Sequence, residues 1–202
     1  MTTTDSHFLS TSKCYLNTLN DCFTEEILSQ IHSLSVTLLE TWKHKGQIFL
    51  CGNGGSAANA IHISNDLLYG VGACGDGPQI PGLQVEALTA NSGILTCLAN
   101  DTGYQNIFSY QLQAKANHGD VLIILSGSGN SENVVNALLT GKEIGMQCYA
   151  VLAFDGGKCK TLADHPIHFP VNDMQIAEDT QLIVGHLCMQ WLNKHKPIDI
   201  NN

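Results

Sequence analysis

Three unbroken apolar runs constrain this chain more than any other feature: Ile48-Phe49-Leu50-Cys51, Val121-Leu122-Ile123-Ile124-Leu125 and Cys148-Tyr149-Ala150-Val151-Leu152. A strand with one wet face alternates apolar and polar residues. Runs without alternation predict strands covered on both faces, as in a parallel sheet between helical layers. The first run leads into Cys51-Gly52-Asn53-Gly54-Gly55-Ser56-Ala57-Ala58-Asn59-Ala60-Ile61-His62-Ile63-Ser64-Asn65-Asp66. Its glycines let the backbone turn sharply and approach a ligand closely. Ser56 stands where a helix N-cap belongs, ahead of the alanine-rich helix former. A strand, a glycine turn and a helix start together make an anion site, since free N–H groups and the helix dipole point into the turn.

The remaining segments fit the same α/β plan. Residues 6–44 read as two helices, with Leu9, Tyr15, Leu16, Leu19 and Phe23 at helical spacing in the first. Ile27, Ile31, Leu34, Leu38 and Trp42 repeat that spacing in the second, which Thr24 and Glu25-Glu26 open. Two helices with this many apolar positions predict an oligomer interface. Residues 69–83 are rich in glycine and proline, which predicts a loop near the site with no regular element. A strand over 84–89, helices over 92–99 and 104–116, and a helix over 132–144 follow. A short strand near 167–169 and a last helix over 175–194 complete the single domain. Residues 1–45 form its helical part and 46–202 the α/β sandwich.

Composition narrows the classes of function. A net charge of −9 with nine Lys and Arg argues against nucleic acid as the main partner. No apolar run nears the roughly 20 residues that span a bilayer. Met1 to His7 lacks a basic segment followed by an apolar one, so a cytoplasmic location is expected. The eight cysteines form no C-x-x-C pair and several lie in apolar runs, where reduced cysteine acts as a small hydrophobe.

Two groups of residues carry chemistry. Ser126-Gly127-Ser128-Gly129-Asn130-Ser131 follows an apolar strand and precedes a helix, offering hydroxyls and backbone N–H groups to a phosphate monoester. Neither G-x-G-x-x-G nor a P-loop lysine is present, so dinucleotide and ATP chemistry are disfavoured. His62 and Asp66 are four apart on one helix and share a face. The last helix adds Glu178, Asp179 and His186 within an apolar stretch. Glu178 and His186 are about 12 Å apart along that helix, so meeting at one centre needs extended side chains or a distorted turn. Two histidines and two carboxylates suit a divalent ion such as zinc. They equally suit proton transfer without a metal.

Four segments occur in the order seen in phosphoheptose isomerases: Gly52 to Ala58, Ala99-Asn100-Asp101-Thr102-Gly103-Tyr104, Ser126 to Ser131, and Asp155-Gly156-Gly157-Lys158. The chain thus resembles that group of sugar isomerase (SIS) domain proteins over nearly its whole length. The resemblance implies a flavodoxin-like sandwich and a homotetramer with shared active sites. It also implies conversion of sedoheptulose 7-phosphate to glycero-manno-heptose 7-phosphate. Phosphate is then expected on Ser126, Ser128 and Ser131 with Gly127. Asn53, Gly54, Ser56, Asn100 and Asp101 are expected around the sugar. Zinc is expected on His62, Asp66, Glu178 and His186, one ion per subunit. Two positions depart from the family pattern: Asp66 replaces a glutamate thought to act as base, and Glu178 replaces a glutamine. The base is therefore Asp66 or Glu178, with His186 as proton shuttle. The rival activities are isomerisation of another long-chain ketose phosphate, such as an octulose phosphate, and a non-catalytic SIS module that binds a replication initiator.

Overall fold

A computed structural model describes residues 3–75 and 77–198. Five parallel strands form one sheet in the order β2-β1-β3-β4-β5. They are β1 (Gln47–Cys51), β2 (Gln84–Ala87), β3 (Val121–Ser126), β4 (Gln147–Leu152) and β5 (His165–His168). β1 sits between its neighbours with Ile48 opposite both Val85 and Val121. Successive side chains on a strand point to opposite faces, so the unbroken apolar runs feed two cores. Ile48 and Leu50 join Ile123, Leu125 and Val151 in one; Phe49 and Cys51 join Leu122, Ile124 and Ala150 in the other.

The first core is covered by α2 (Glu25–Lys43), α3 (Gly55–Asn65) and α9 (Met174–Lys194). The second is covered by α5 (Ser92–Asp101), α6 (Ser109–Lys115), α7 (Glu132–Ile144) and α8 (Gly157–Leu162). The two N-terminal helices have different fates. α2 opens on Thr24, whose hydroxyl accepts from the Ile27 N–H, and buries Ile27, Ile31, Leu34, Leu38 and Trp42 in its own chain's core. α1 (Thr3–Asp21) lies outside, with Phe8 and Leu16 more than 60% exposed.

Several sequence-based boundaries shift. Ser56 does not cap α3: Gly54 does, at φ 56° and ψ −122°, a conformation that side chains disfavour. Ser56 is instead buried in the first turn. The loop expected from residue 69 begins later, because α3 runs on through a π-helical turn, Asp66–Gly70, into α4 (Val71–Ala73). The loop after it is held down rather than free. Leu83 N donates to Leu67 O, Trp42 Nε1 donates to Pro81 O, and the Lys196 ammonium donates to the carbonyls of Gly72, Cys74 and Pro78. A Cβ on Gly82 would lie 2.2 Å from Leu68 O, so glycine there permits the close packing. The helix expected over 104–116 divides into a 3-10 turn, Tyr104–Asn106, and α6. α8 carries no apolar period that would have announced it. All eight cysteines are free, and burial pushes the thiols of Cys148 and Cys159 up to about 12 and about 11.

Candidate active site

The strand order reverses direction between β1 and β3, and ligands of such sheets bind in the crevice outside the carboxyl ends at that point. Both glycine-containing turns lie there. Backbone contact is tight: a Cβ on Gly52 would sit 2.7 Å from Leu125 O. In the turn after β3, the Ser126 hydroxyl accepts from Gly129 N at 3.1 Å and the Ser128 hydroxyl from Asn130 N at 3.3 Å. Each hydroxyl proton stays available to donate. Ser131 precedes α7 without a side-chain cap bond and lines the adjoining cleft. Gly129, at φ +63°, passes so close to Gly156 O that a Cβ would clash at 2.1 Å. Asn130 fastens the same place: Lys158 N donates to its Oδ1 at 3.1 Å, and its Nδ2 donates to Ser128 O at 3.1 Å. The serine turn is thus braced by the Asp155–Lys158 segment.

Asn53, Tyr104, Gln105, Ser131, Glu132 and Asn133 line a cleft of about 440 Å³ beside this turn. Asn100 and Asp101 lie at the end of α5 and are exposed. Asn100 Nδ2 donates to Asp101 Oδ1 at 2.7 Å, and the Cys97 thiol donates to Asp101 Oδ2, a bond that pushes the thiol up.

The second group is built on α3 and α9, which run side by side in register. Asn59 Nδ2 donates to Glu178 O at 3.0 Å and to Gln181 Oε1 at 3.1 Å. One turn on, Gly185 lets the helices touch, since a Cβ there would lie 2.6 Å from Ile63. That contact brings His186 to His62, with Nε2 atoms 2.9 Å apart. Asp66 Oδ2 lies 3.4 Å from the His62 nitrogen and 3.6 Å from that of His186. Asp66 opens the π turn, a distortion often found at functional sites. The four-residue set expected from the sequence divides. His62, Asp66 and His186 gather with ligating atoms within 4.8 Å of one another. The Glu178 carboxylate lies instead over Gly55, where an added Cβ would come within 2.2–2.5 Å of it. There it supplies negative charge at the N-terminus of α3, whose cap Gly54 offers no side chain. Two imidazoles and a carboxylate converging at such separations fit a tetrahedral divalent ion, whose ligands stand about 3.3 Å apart for bonds near 2.0 Å.

Sequence reasoning missed Asn59, Gln181 and Gly185, which align α3 with α9, and Asn130 and Asn133, which brace the cleft. Their residue types are common in helices and turns, and no spacing sets them apart.

Two polar glycine turns at a flavodoxin-type switch point, with a titratable cluster farther along α3, are the arrangement of a sugar-phosphate class of α/β protein. A family model described as the SIS domain matches residues 14–153. A phosphoheptose isomerase of Clostridium acetobutylicum is 36% identical over 169 residues, 84% of each chain. Another, of Aneurinibacillus thermoaerophilus, is 37% identical and covers 81% of this chain and 80% of its own. The structure of the Neisseria gonorrhoeae phosphoheptose isomerase superposes with a TM-score of 0.83 at 27% identity, over 95% of this chain and all of the other. The chain belongs to the phosphoheptose isomerase family of SIS-domain proteins.

Proposed function

We propose that this enzyme, a phosphosugar isomerase, converts sedoheptulose 7-phosphate to D-glycero-D-manno-heptose 7-phosphate through a cis-enediol. The observation that carries the reading is the separation of the two groups along α3. Gly55 at the N-terminal, binding end of α3 and His62 differ by seven residues, about 10 Å of helix rise, a length an extended seven-carbon chain covers. Ser126, Ser128 and Ser131, with the Gly127 backbone and the α7 dipole, hold the phosphate in this reading. Asn53, Gly54, Ser56, Asn100 and Asp101 surround the sugar chain. Glu178, seated over Gly55, belongs to this sugar end, which leaves Asp66 as the base.

In the forward direction Asp66 takes a proton from C1, beside the carbonyl, while His186 gives one to O2; C1 and C2 become doubly bonded. His186 then takes the O1 proton and Asp66 returns a proton to C2, leaving the aldose. The imidazole contact with His62 orients His186 for both transfers. His62, Asp66 and His186 would hold a divalent ion, zinc in our reading, which would supply Lewis-acid polarisation to the site.

We also propose a homotetramer with active sites shared between subunits. Exposed apolar side chains support it: Phe8 and Leu16 on α1, and Leu68 and Tyr69 in the π turn. No helix among the described residues is long and apolar enough to cross a membrane, in keeping with the cytoplasmic location proposed. The test is proton NMR of the zinc-supplemented protein with sedoheptulose 7-phosphate in deuterated water. A new aldose anomeric signal, with deuterium at C2, is expected. Binding of the sugar phosphate without turnover would overturn the reading in favour of another ketose phosphate or a binding module.

A further inference from the structure

The amide of Asn53 is held more completely than a ligand-binding side chain needs to be. Its Nδ2 donates to Asn133 Oδ1 at 2.9 Å, and its Oδ1 accepts from Asn133 Nδ2 at 2.8 Å, closing a reciprocal ring. The Tyr104 hydroxyl also donates to Asn53 Oδ1, at 2.9 Å. One contact fixes the sense of the whole ring. Asn133 Oδ1 accepts from the Val134 backbone N–H at 2.9 Å, and a backbone N–H can only donate. Asn133 therefore cannot turn its amide over, and its Nδ2 must face Asn53. Turning Asn53 alone would set oxygen against oxygen and NH₂ against NH₂. With Asn133 only 1% exposed, water cannot reach its amide to relieve that mismatch on the buried side. Both acceptor positions of Asn53 Oδ1 are then filled. The second Nδ2 hydrogen is the one polar group of Asn53 left over, in a residue that lines the cleft.

We propose that Asn133 and Tyr104 are positioning residues that lock Asn53 as a hydrogen-bond donor toward the cleft. The lock makes Asn53 selective for an acceptor oxygen, a sugar hydroxyl or phosphate-ester oxygen, at that point of the ligand. This inference rests on the sugar-phosphate reading of the cleft for its ligand, and on the protein alone for the orientation.

The test has two arms. In the ligand-free protein, the Asn53 side-chain amide pair is assigned in ¹H–¹⁵N spectra by its loss in N53A. It is expected to be shifted and slow to exchange in the wild type, and to collapse to solvent-like values in N133A. In the second arm, sedoheptulose 7-phosphate affinity is measured by calorimetry. N133A is expected to weaken it about ten-fold and Y104F about three-fold. Neither change should weaken it further on an N53A background, whereas a merely structural role would persist there in full. An amide pair unmoved by N133A, or losses that remain on N53A, would overturn the proposal. Should N133A fail to fold, exposed Tyr104 carries the test, and a Y104F protein with unchanged amide shifts and affinity overturns it. A wild type that ignores sedoheptulose 7-phosphate but shows the locked amide pair would sink the substrate assignment and leave the orientation standing.

Discussion

The two ends of α3 differ in construction, and the proposed function gives them different jobs. At its N-terminal end the polar atoms are backbone N–H groups, hydroxyls and amides, set by turns whose residues are close neighbours in the chain. Ser126 and Ser128 are fixed by N–H groups three and two residues away, respectively. At the other end, His62 and His186 meet across 124 residues of sequence, and only because α9 lies in register with α3. Neutral donors suit binding, since they hold an oxyanion without changing protonation state. Imidazoles beside a carboxylate suit proton transfer, since their charge can change at neutral pH. In the proposed mechanism binding and chemistry are separated along one helix, with Glu178 on the binding side.

That division is easiest to break at its reactive end. Asp66→Asn and His186→Ala are each expected to lower kcat by about 10²–10⁴-fold with sugar-phosphate affinity nearly unchanged. Glu178→Gln should stay within about ten-fold of wild-type turnover. A Glu178→Gln loss equal to that of Asp66→Asn, followed by NMR, would move the base to the binding end. Zinc sharpens the same point without reference to activity. At 100 times its dissociation constant, zinc should stabilise the chelator-stripped protein by about 2.7 kcal/mol, read as a higher Tm. His62→Ala should lose most of that rise, and an equal rise in both proteins would remove the metal from this cluster.

At the binding end, Ser128→Ala removes one charge-assisted donor. It is expected to raise KM about ten-fold and leave kcat within about two-fold. A fall in kcat with unchanged KM would show that the two ends are not separable. The smallest effect concerns how α9 is held from outside. The Tyr15 hydroxyl on α1 donates to Asp179 Oδ2 at 2.6 Å, and burial together with this bond pushes the phenol up to about 12. A raised phenol pKa stabilises the fold in full below the unfolded value of 10, and the contribution is lost as pH rises toward 12. Tyr15→Phe should therefore cost under about 1 kcal/mol at pH 8 in chemical denaturation. The difference from wild type should shrink between pH 10 and 12, and a constant difference would show that the bond contributes nothing there.

Much of the binding end was legible in the residues. The apolar runs, the glycines of the 52–55 turn and the serines of 126–131 announce strand, turn and helix start in one continuous stretch each. The sequence also carried the pairing of His62 with Asp66, because i and i+4 share a helical face. It could not place Glu178. Helical spacing put that residue about 12 Å from His186, and which end of α3 it would meet depended on the register of α9. The π turn at Asp66–Gly70 was equally invisible, since one extra residue in a turn carries no residue-type signature. Ser56 as the cap of α3 was a reasonable local reading that lost to Gly54, whose backbone conformation the turn demands.

Local interactions, read residue by residue, thus determined the strands, the phosphate-type turns and the family to which the chain belongs. Tertiary structure alone decided which carboxylate joins the histidines, how Asn53 faces the cleft, and that α2 is core while α1 is surface. The physical reason is the same in each case. Those outcomes depend on contacts between segments far apart in the chain, made where a missing Cβ at Gly185 or a backbone N–H at Val134 permits one geometry and no other.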